Sequence, residues 1–381
     1  MPATTKFDRI KRLREIMEAA KIDAAYISDP ANIFYLSGFT SGYDAKLLIS
    51  SSEQILLTDS RYDLQAKEES PGFELIVAVK KPLSTLLKEL LQRFKMKKIG
   101  FEGADLRFQD VQILKRLRCE LSGRLMNMCL GHRLVDISSE LEWFRAIKDQ
   151  EELDTMRKAA TIAHESFEAV KPLMKVGAVE QDIATELECE FRRHGASGAS
   201  FPTLVASGPN GAKIHYEAGT RAFKEGDMII IDFGCRYQKY ASDETNTIAI
   251  GSPDPELIKA YDIVRAAHWK AIREAKCNIS EPKIDKIARD YIEQEGYGGY
   301  FNHSTGHGLG LGTVENMTFH EHPHAGPTNS STPITEGMVI TIEPGIYLPG
   351  KGGIRIECIC VMTKNGLEPI IDYGDRQLEV I

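Results

Sequence analysis

The stretch from Met338 to Cys360 constrains the fold more than any other part of this sequence. Two apolar runs, rich in valine and isoleucine, flank the turn-forming residues 349–353 (Pro-Gly-Lys-Gly-Gly). This pattern predicts a β-hairpin with a loop longer than two residues. Each run carries one carboxylate, and Glu343 and Glu357 lie seven residues on either side of Gly350. They should therefore face each other on paired strands, where two like charges repel unless a cation lies between them.

A second pair of carboxylates has the same character. Asp232 ends a run of three isoleucines, and Asp243 follows eleven residues later. Their midpoint falls between Tyr237 and Gln238, so a tight hairpin would set the two side chains directly opposite each other on one face of the ladder. Two facing carboxylate pairs in apolar strands indicate a site rather than two solvated strand ends.

A cluster of histidines supplies nitrogen ligands. Five of the ten histidines fall between His303 and His324, and His307 is followed by small residues that let the backbone approach a buried site. Four carboxylates and one imidazole suit two divalent ions such as manganese, cobalt, iron or zinc. Two such ions would balance the four negative charges, whereas the metal-free site would repel itself.

Length and composition limit the function classes. A chain of 381 residues exceeds one comfortable core and predicts two domains. A formal net charge of −8 argues against nucleic-acid binding. The N-terminus lacks the apolar region of a signal peptide, and no apolar run is long enough for a membrane span. Seven scattered cysteines without a Cys-x-x-Cys pair fit a reducing compartment, so we expect a cytoplasmic protein that acts on small molecules or peptides.

The N-terminal part, residues 1–132, shows alternating helical and strand patterns. Helices are predicted at 7–21, 60–69, 82–96 and 109–121, and strands at 23–28, 46–51, 54–58, 73–79 and 98–102. This alternation predicts an α/β domain with a mixed sheet. It contains neither a glycine-rich phosphate loop nor clustered histidines or cysteines, so we interpret it as a scaffold.

The second part, residues 133–381, predicts two αβ halves that face each other. Asp149 and Glu152 form a capping-box pattern, followed by an apolar helical face and a second helix over 180–193. Strand patterns follow at 201–207, 228–234 and 240–250. Helical patterns return at 255–276 and 283–295, before strands resume at Val339.

These motifs, in this order, resemble the ligand blocks of the pita-bread-fold metallopeptidases, which comprise methionine aminopeptidase, aminopeptidase P and prolidase, with metal-free creatinase as a relative. The matching segments are Ile231-Asp-Phe-Gly234, Ser242-Asp-x-Thr245, Gly306-His-Gly-x-Gly-Leu311, Ile342-Glu-Pro-Gly-Ile-Tyr347 and Gly353-Ile-Arg-Ile-Glu357. The segments Tyr35-Leu-Ser-Gly-Phe-Thr40 and Thr58-Asp-Ser-Arg-Tyr62 resemble the creatinase-type domain of the proline-specific branch. The implied fold is α/β (α+β), with a creatinase-type N-terminal domain at 1–132 and a pita-bread catalytic domain at 133–381.

The resemblance implies a role for each matching residue. Asp232, Asp243, His307, Glu343 and Glu357 would hold two divalent ions, manganese being favoured, with Asp243 and Glu357 bridging. The ions would activate water for attack on a peptide carbonyl. Glu343 would also shuttle the proton. His215 and His303 would polarise the carbonyl and stabilise the oxyanion, and His303 would border a proline pocket.

The sequence departs from the family pattern at two places. The family has a further histidine seven residues after the metal histidine, where this chain has Val314. The segment Phe319-His-Glu-His-Pro323 retains a His-Glu-x-Pro pattern, which would require an insertion of about six residues over 312–317. We favour His320 as the displaced catalytic histidine, the alternative being that His320, His322 and His324 decorate a mobile loop. Asn246 stands where the family has arginine, which would leave metal binding intact and alter substrate scope or dimer contacts.

The resulting hypothesis is a dinuclear-metal exopeptidase that cleaves the Xaa-Pro bond of dipeptides or short peptides, with a dipeptidase slightly favoured over aminopeptidase P. A homodimer is the assembly that the resemblance implies. One alternative is a non-peptidase amidohydrolase on the same fold, of the creatinase or ectoine-hydrolase kind. Another is a non-enzymatic binding relative, although such proteins lose ligand residues and this chain keeps all five.

Overall fold

The computed structural model describes residues 6–78, 98–106, 134–315 and 333–381, with a few isolated positions between 85 and 112. The chain divides into two compact units, Pro2–Phe144 and Arg145–Ile381. The boundary predicted between residues 132 and 133 lies outside the described residues and stays a prediction. So do the helices predicted over 109–121 and most of 82–96.

The first unit contains a six-stranded mixed sheet. Its helices are α1 (Lys6–Ala19), α2 (Pro30–Ser37), α3 (Asp63–Glu69) and the start of α4 (Ser138–Ala146). Its strands are β1 (Ala24–Ile27), β2 (Ala45–Ser50), β3 (Gln54–Asp59), β4 (Glu74–Ala78), β5 (Ile99–Phe101) and β6 (Leu134–Asp136). The order is β4-β3-β2-β1-β5-β6, with antiparallel pairs at β1/β2 and β2/β3 and parallel pairs elsewhere. The predicted mixed α/β sheet is confirmed.

Helix α2 is an element that apolar periodicity did not reveal. Asp29 caps its N-terminus by accepting from the amides of Ala31 and Asn32, Pro30 occupies the first turn, and Gly38 ends it in the left-handed region. These are ordinary start and stop features of a helix. The helix is short and largely buried, so it lacks the polar face on which the periodicity argument depends.

The second unit contains the two helical pairs that the sequence predicts. The helices that follow α4 are α5 (Gln150–Val170), α6 (Glu180–Arg193), α7 (Pro255–Glu274) and α8 (Glu281–Gln294). The strands of its first half are β7 (Gly198–Ala199), β8 (Leu204–Ser207), β9 (Met228–Phe233), β10 (Cys235–Tyr237), β11 (Tyr240–Ala241) and β12 (Glu244–Ala249). Those of its second half are β13 (Ile279–Ser280), β14 (Pro333–Ile334), β15 (Val339–Ile342), β16 (Gly345–Leu348), β17 (Gly352–Arg355), β18 (Cys358–Thr363) and β19 (Gly366–Pro369), and β20 (Glu379–Val380) pairs with β12.

Helix α5 begins at the predicted capping box. Asp149 accepts from the amide of Glu152, and the Glu152 carboxylate accepts from the amide of Asp149. The predicted apolar face is buried, and it packs with α6 and strands β8–β10 and β12 in one core. None of the helices that the structure describes is long and apolar enough to cross a membrane.

The hairpin over 338–360 has the predicted register. Strand β15 pairs with β18 and β16 pairs with β17, with Ile342 opposite Cys358 and Gly345 opposite Arg355. Both ladders therefore place Glu343 and Glu357 across from each other, at the break between the inner and outer strand pairs. The inference drawn from the sequence midpoint is confirmed.

The predicted pairing of Asp232 with Asp243 is wrong by two residues. Asp232 lies opposite Thr245, because the turn consists of two residues, Gln238 and Lys239, between the paired Tyr237 and Tyr240. Both turn residues adopt positive φ values, 46° and 76°, as type I′ turns require. An offset of two residues preserves the face of a strand, so Asp243 keeps the side that the prediction gave it.

The loop that precedes β9 approaches the hairpin closely at a glycine pair. A Cβ atom on Gly353 would lie 2.0 Å from the carbonyl oxygen of Gly211, and one on Gly211 would lie 2.9 Å from the amide nitrogen of Gly353. Both positions must therefore be glycine. This contact fixes the loop carrying His215 beside the strand that leads to Glu357.

Candidate metal centre and active site

Four of the five predicted ligands lie at or next to strand ends of the second unit, and the fifth lies in a loop. Asp232 lies in β9, Asp243 precedes β12, His307 lies in the loop after α8, and Glu343 and Glu357 occupy the breaks of the long hairpin. Ligand atoms of Asp243, His307 and Glu357 lie within 4.8 Å of one another. The structure therefore brings together residues separated by more than a hundred positions in the sequence.

The ring of His307 is oriented for metal binding. Its Nδ1 atom lies 3.0 Å from the carbonyl oxygen of Gly308, which can only accept, so Nδ1 carries the proton. Its Nε2 atom lies 3.6 Å from Asp243 Oδ2 and 3.5 Å from Glu343 Oε1. The Nε2 lone pair therefore faces two carboxylate oxygens, an arrangement that a cation between them would stabilise.

Two buried carboxylate oxygens also lack partners. Asp232 accepts from Arg355 through Oδ2 at 2.6 Å, and Glu357 accepts from the Thr245 hydroxyl through Oε2 at 2.7 Å. The other oxygens, Asp232 Oδ1 and Glu357 Oε1, are buried without a hydrogen bond. Leaving such atoms unpaired is costly, so the donor set fits a divalent ion of the kind that binds oxygen and nitrogen together.

The electrostatics of the metal-free centre agree with this fit. Burial, and then the charges of neighbouring carboxylates, raise the pKa of Asp243 and of Glu357 well above their ordinary values. Burial, opposed by Arg355 and reinforced by Asp232, raises the pKa of Glu343 to about 8. Carboxylates that resist ionisation this strongly need positive charge to ionise together.

A second network surrounds His303. Its Nδ1 atom lies 2.8 Å from the carbonyl oxygen of Ser304, so Nε2 accepts from the Tyr347 hydroxyl at 2.8 Å. That hydroxyl accepts in turn from Arg355 Nη1 at 3.0 Å. Burial, and then the Arg355 charge, lower the pKa of His303 to about 3. His303 is therefore a neutral ring linked through Tyr347 and Arg355 to Asp232.

The loop carrying His303 is held from helix α8. Asp285 accepts from the amide and hydroxyl of Thr305 at 2.9 Å and forms a two-point ion pair with Arg289. Arg289 also donates to the carbonyl oxygen of His303 at 2.7 Å. The carbonyl oxygen of Thr305 accepts in turn from the amide of Glu343. The ion pair between Asp285 and Arg289 therefore holds both His303 and Thr305, and so fixes the loop beside the candidate ligand Glu343.

His215 is exposed on the loop that precedes β9, and it contributes, after burial and Arg355, to the low pKa of His303, so the two histidines are neighbours. The preceding residue, Ile214, accepts from Arg355 through its carbonyl. His215 thus lies at the open side of the site.

Position 314 carries no histidine and faces solvent. Val314 is 64% exposed, whereas the next residue, Glu315, is buried and pairs with Lys148 Nζ at 3.0 Å and Arg145 Nη2 at 3.3 Å. The amide of Glu315 donates to the carbonyl of Gly308, so the segment after His307 folds back on the metal loop. His320, His322 and His324 lie outside the described residues, and the assignment of His320 stays a prediction.

Thr245 and Tyr347 have no role predicted from the sequence, although both belong to the motifs that resemble the family. Thr245 supplies the donor to Glu357, and Tyr347 joins His303 to Arg355. The alternation of residues along a strand could have placed Thr245 beside Asp243 on the site face.

Comparison with known proteins agrees with the geometry. Residues 154–364 match the model of metallopeptidase family M24, and residues 9–147 match the creatinase/prolidase N-terminal domain. A Xaa-Pro dipeptidase from Pyrococcus horikoshii is 34% identical, over 94% of this chain and 95% of its own length.

Two solved structures share the whole architecture. A Xaa-Pro dipeptidase from Bacillus anthracis has a TM-score of 0.87 at 31% identity, covering 99% of this chain and 100% of its own. An X-Pro aminopeptidase from Thermotoga maritima has a TM-score of 0.84 at 33% identity, covering 98% and 99%. The expected fold class, a creatinase-type domain followed by a pita-bread domain, is confirmed.

Proposed function

This chain belongs to metallopeptidase family M24 with a creatinase/prolidase N-terminal domain, and from that premise we propose that it is a dinuclear-metal exopeptidase of the prolidase type. Its substrates would be dipeptides or short peptides with proline in the second position. The observation that carries the proposal is the convergence of ligand atoms of Asp243, His307 and Glu357, which lie within 4.8 Å of one another. Relatives named Xaa-Pro dipeptidase support the substrate class.

Family membership implies divalent metal ions. Asp232, Asp243, His307, Glu343 and Glu357 would hold two of them, and manganese is the ion that we propose, ahead of cobalt, zinc and iron. Bound there, the ions would acidify water and polarise the peptide carbonyl. The four carboxylates would then ionise together, because the dications would balance their charge.

Glu343 would move the proton. Its carboxylate would take a proton from the attacking water as the carbon–oxygen bond forms, and would deliver it to the proline nitrogen as the carbon–nitrogen bond breaks. Its Oε1 atom lies 3.5 Å from the Thr341 hydroxyl and 3.5 Å from His307 Nε2. The hydrogen bond that the Glu343 amide donates to the carbonyl oxygen of Thr305 keeps the main chain of Glu343 in place during this exchange.

The two outer histidines would have different tasks. To donate to an oxyanion, His303 would need a proton on Nε2, whereas that atom accepts from Tyr347. We therefore propose that His303 forms a wall of the proline pocket and that exposed His215 donates to the carbonyl oxygen.

The variant Asp243→Asn tests this proposal. We expect it to lose both bound metal and hydrolysis of Xaa-Pro dipeptides, measured by elemental analysis and by proline release. The matched control is Asp182→Asn, which makes the same charge change at an exposed position of α6. If Asp243→Asn kept both metal and turnover, the proposed mechanism would be wrong.

Substrate length requires a separate experiment. We propose a dipeptidase, although the similar structures include both a dipeptidase and an aminopeptidase. Xaa-Pro dipeptides and Xaa-Pro-Xaa tripeptides should be compared with added manganese, cobalt or zinc. If dipeptides were turned over more slowly than tripeptides, this assignment would be reversed.

We also propose that the protein is a cytoplasmic homodimer. Light scattering would test the assembly, and cell fractionation would test the location.

The second candidate is a non-peptidase amidohydrolase on the same fold, of the creatinase or ectoine-hydrolase kind. Solvent-exposed Val314, in place of the family histidine, and Asn246, in place of the family arginine, are the observations that favour it. Hydrolysis of a cyclic or guanidino amide, with no turnover of any Xaa-Pro peptide, would establish it.

A further inference from the structure

A buried arginine lies behind the metal centre. The Arg376 side chain is 4% exposed, and its guanidinium contacts two different strands. Nη1 donates to Glu244 Oε1 at 3.0 Å and to Asn246 Oδ1, and Nη2 donates to the carbonyl oxygen of Glu357 at 2.9 Å. The guanidinium also stacks on the ring of Tyr373 at 4.6 Å. Every one of these contacts is with the second unit.

These contacts span the junction that carries the candidate ligands. Side chains alternate along β12, so Glu244 and Asn246 share one face while Thr245 occupies the other. On the site face, Thr245 donates to the Glu357 carboxylate, and its carbonyl oxygen accepts from the Glu357 amide at 3.0 Å. Arg376 therefore joins the same two strands from the opposite face.

Arg376 also balances a buried negative charge beside the candidate metal centre. Glu244 is 2% exposed and directly follows Asp243 in the sequence, so it brings a further buried carboxylate next to the candidate ligands. Arg376 neutralises this carboxylate, and His164 Nδ1 lies 3.0 Å from Glu244 Oε1.

The backbone conformation of Arg376 also indicates that its contacts fix its position. Arg376 adopts a φ of 54°, in the left-handed region that residues with a Cβ atom rarely occupy. Such a conformation persists where the surrounding contacts over-determine it. Here those contacts are the guanidinium bonds and the hydrogen bond from the Tyr261 hydroxyl to the Arg376 carbonyl at 3.0 Å.

We infer that Arg376 is a positioning residue of the metal centre, which supplies from the C-terminal segment the guanidinium that the family pattern places at position 246. It holds Glu357 in register with Thr245 and neutralises Glu244 beside Asp243. This inference rests on the proposed metal centre. Removal of an outer partner of metal ligands costs about 10- to 100-fold in metal affinity, so Arg376→Met should bind metal about that much more weakly.

The test is a calorimetric titration of the chelator-treated full chain with Mn²⁺, which measures the dissociation constant. Arg376→Lys keeps the charge but cannot bridge two strands, so we expect a loss of about threefold to tenfold, between the parent and Arg376→Met. The matched control is Glu379→Gln, which removes the ion pair between the same C-terminal segment and Lys171 at 2.7 Å and leaves Arg376 untouched. It should bind Mn²⁺ as the parent does.

A double variant, Asn246→Arg with Arg376→Met, returns the guanidinium to the family position and should recover part of the lost affinity. A double variant that binds no more tightly than Arg376→Met would contradict the inference. So would Arg376→Met with parental affinity, or Glu379→Gln with an equal loss. If Arg376→Met does not fold, Arg376→Lys decides, and parental affinity in that variant overturns the inference. A parent chain that binds no Mn²⁺ would instead overturn the proposed function itself.

Discussion

The hydroxyl of Thr245 donates to the carboxylate of Glu357 across 2.7 Å, which joins strand β12 of one half of the second unit to the hairpin of the other. The bond occupies one oxygen of Glu357 and leaves Oε1 buried without a partner. A single hydroxyl thus decides which oxygen of the carboxylate is available to a cation.

Thr245→Val should therefore weaken metal binding while preserving shape. We expect about tenfold lower Mn²⁺ affinity by calorimetry, because Glu357 loses the partner that orients it. Thr247→Val is the control, since Thr247 is buried on the same face of β12 but bonds the main chain of Arg355. Both variants should lose about 1 kcal/mol of unfolding free energy. Equal metal affinity in the two would contradict the role of Thr245.

Metal-free protein should become less stable as the pH rises from about 5 to about 8. Folding raises the pKa of Glu343 to about 8 and raises those of Asp243 and Glu357 as well. A carboxyl with a raised pKa releases its proton more readily in the unfolded chain, so rising pH favours unfolding until the folded pKa is passed. Thermal unfolding in chelator at several pH values measures this slope.

Excess Mn²⁺ should remove most of this decrease in stability with rising pH. In metal-free protein, Glu343→Gln should make the decrease smaller. A melting temperature that stayed constant or rose over this pH range in chelator would show that the carboxylates do not crowd as the structure indicates.

Tyr347→Phe should separate catalysis from metal binding. The variant loses the donor to His303 and the acceptor for Arg355, but no candidate ligand. We expect kcat/KM for a Xaa-Pro dipeptide to fall roughly tenfold, the effect of one hydrogen bond of about 1.4 kcal/mol, with unchanged metal content. Tyr240→Phe is the control, because it removes another buried phenol bond, to Glu152 at 2.8 Å. A parallel loss of metal would refute this separation.

His320→Ala should lower kcat if His320 replaces the histidine missing at Val314. The expected loss is about 100-fold, within the range for a general acid or base group. His322→Ala and His324→Ala serve as controls of the same composition and neighbourhood. Three variants with parental kcat would exclude a catalytic role for these histidines, and none of them would then take the role of the family histidine.

The sequence predicted the parts of the site that depend on local pattern. Glu343 and Glu357 face each other because the hairpin is symmetric about Gly350, and a midpoint fixes the register of a regular ladder. The predicted pairing of Asp232 with Asp243 was wrong because it centred the turn between Tyr237 and Gln238, whereas the turn is centred between Gln238 and Lys239. The left-handed pair Gln238 and Lys239 lacks the asparagine or glycine that usually marks a type I′ turn.

Contacts over long sequence distances could not be predicted in the same way. Arg376 reaches Glu244 across more than 130 residues, and nothing in the local pattern around either residue indicates the pair. Tyr347 and His303 belong to motifs that the sequence argument used, but their bond depends on how two loops meet in space. Register follows from periodicity, whereas such contacts follow from tertiary packing.

The turn at Gln238 and Lys239 sets a length requirement for the metal centre. Because side chains change face with every residue, one residue added to this two-residue turn and absorbed by the ladder would send Asp243 away from the site, and two would return it. Whether Asp243 faces the site therefore depends on whether the number of residues added to or removed from the turn is odd or even. We expect an even change to be tolerated better than an odd one, so the length of this exposed turn is restricted as strictly as the identity of a buried ligand.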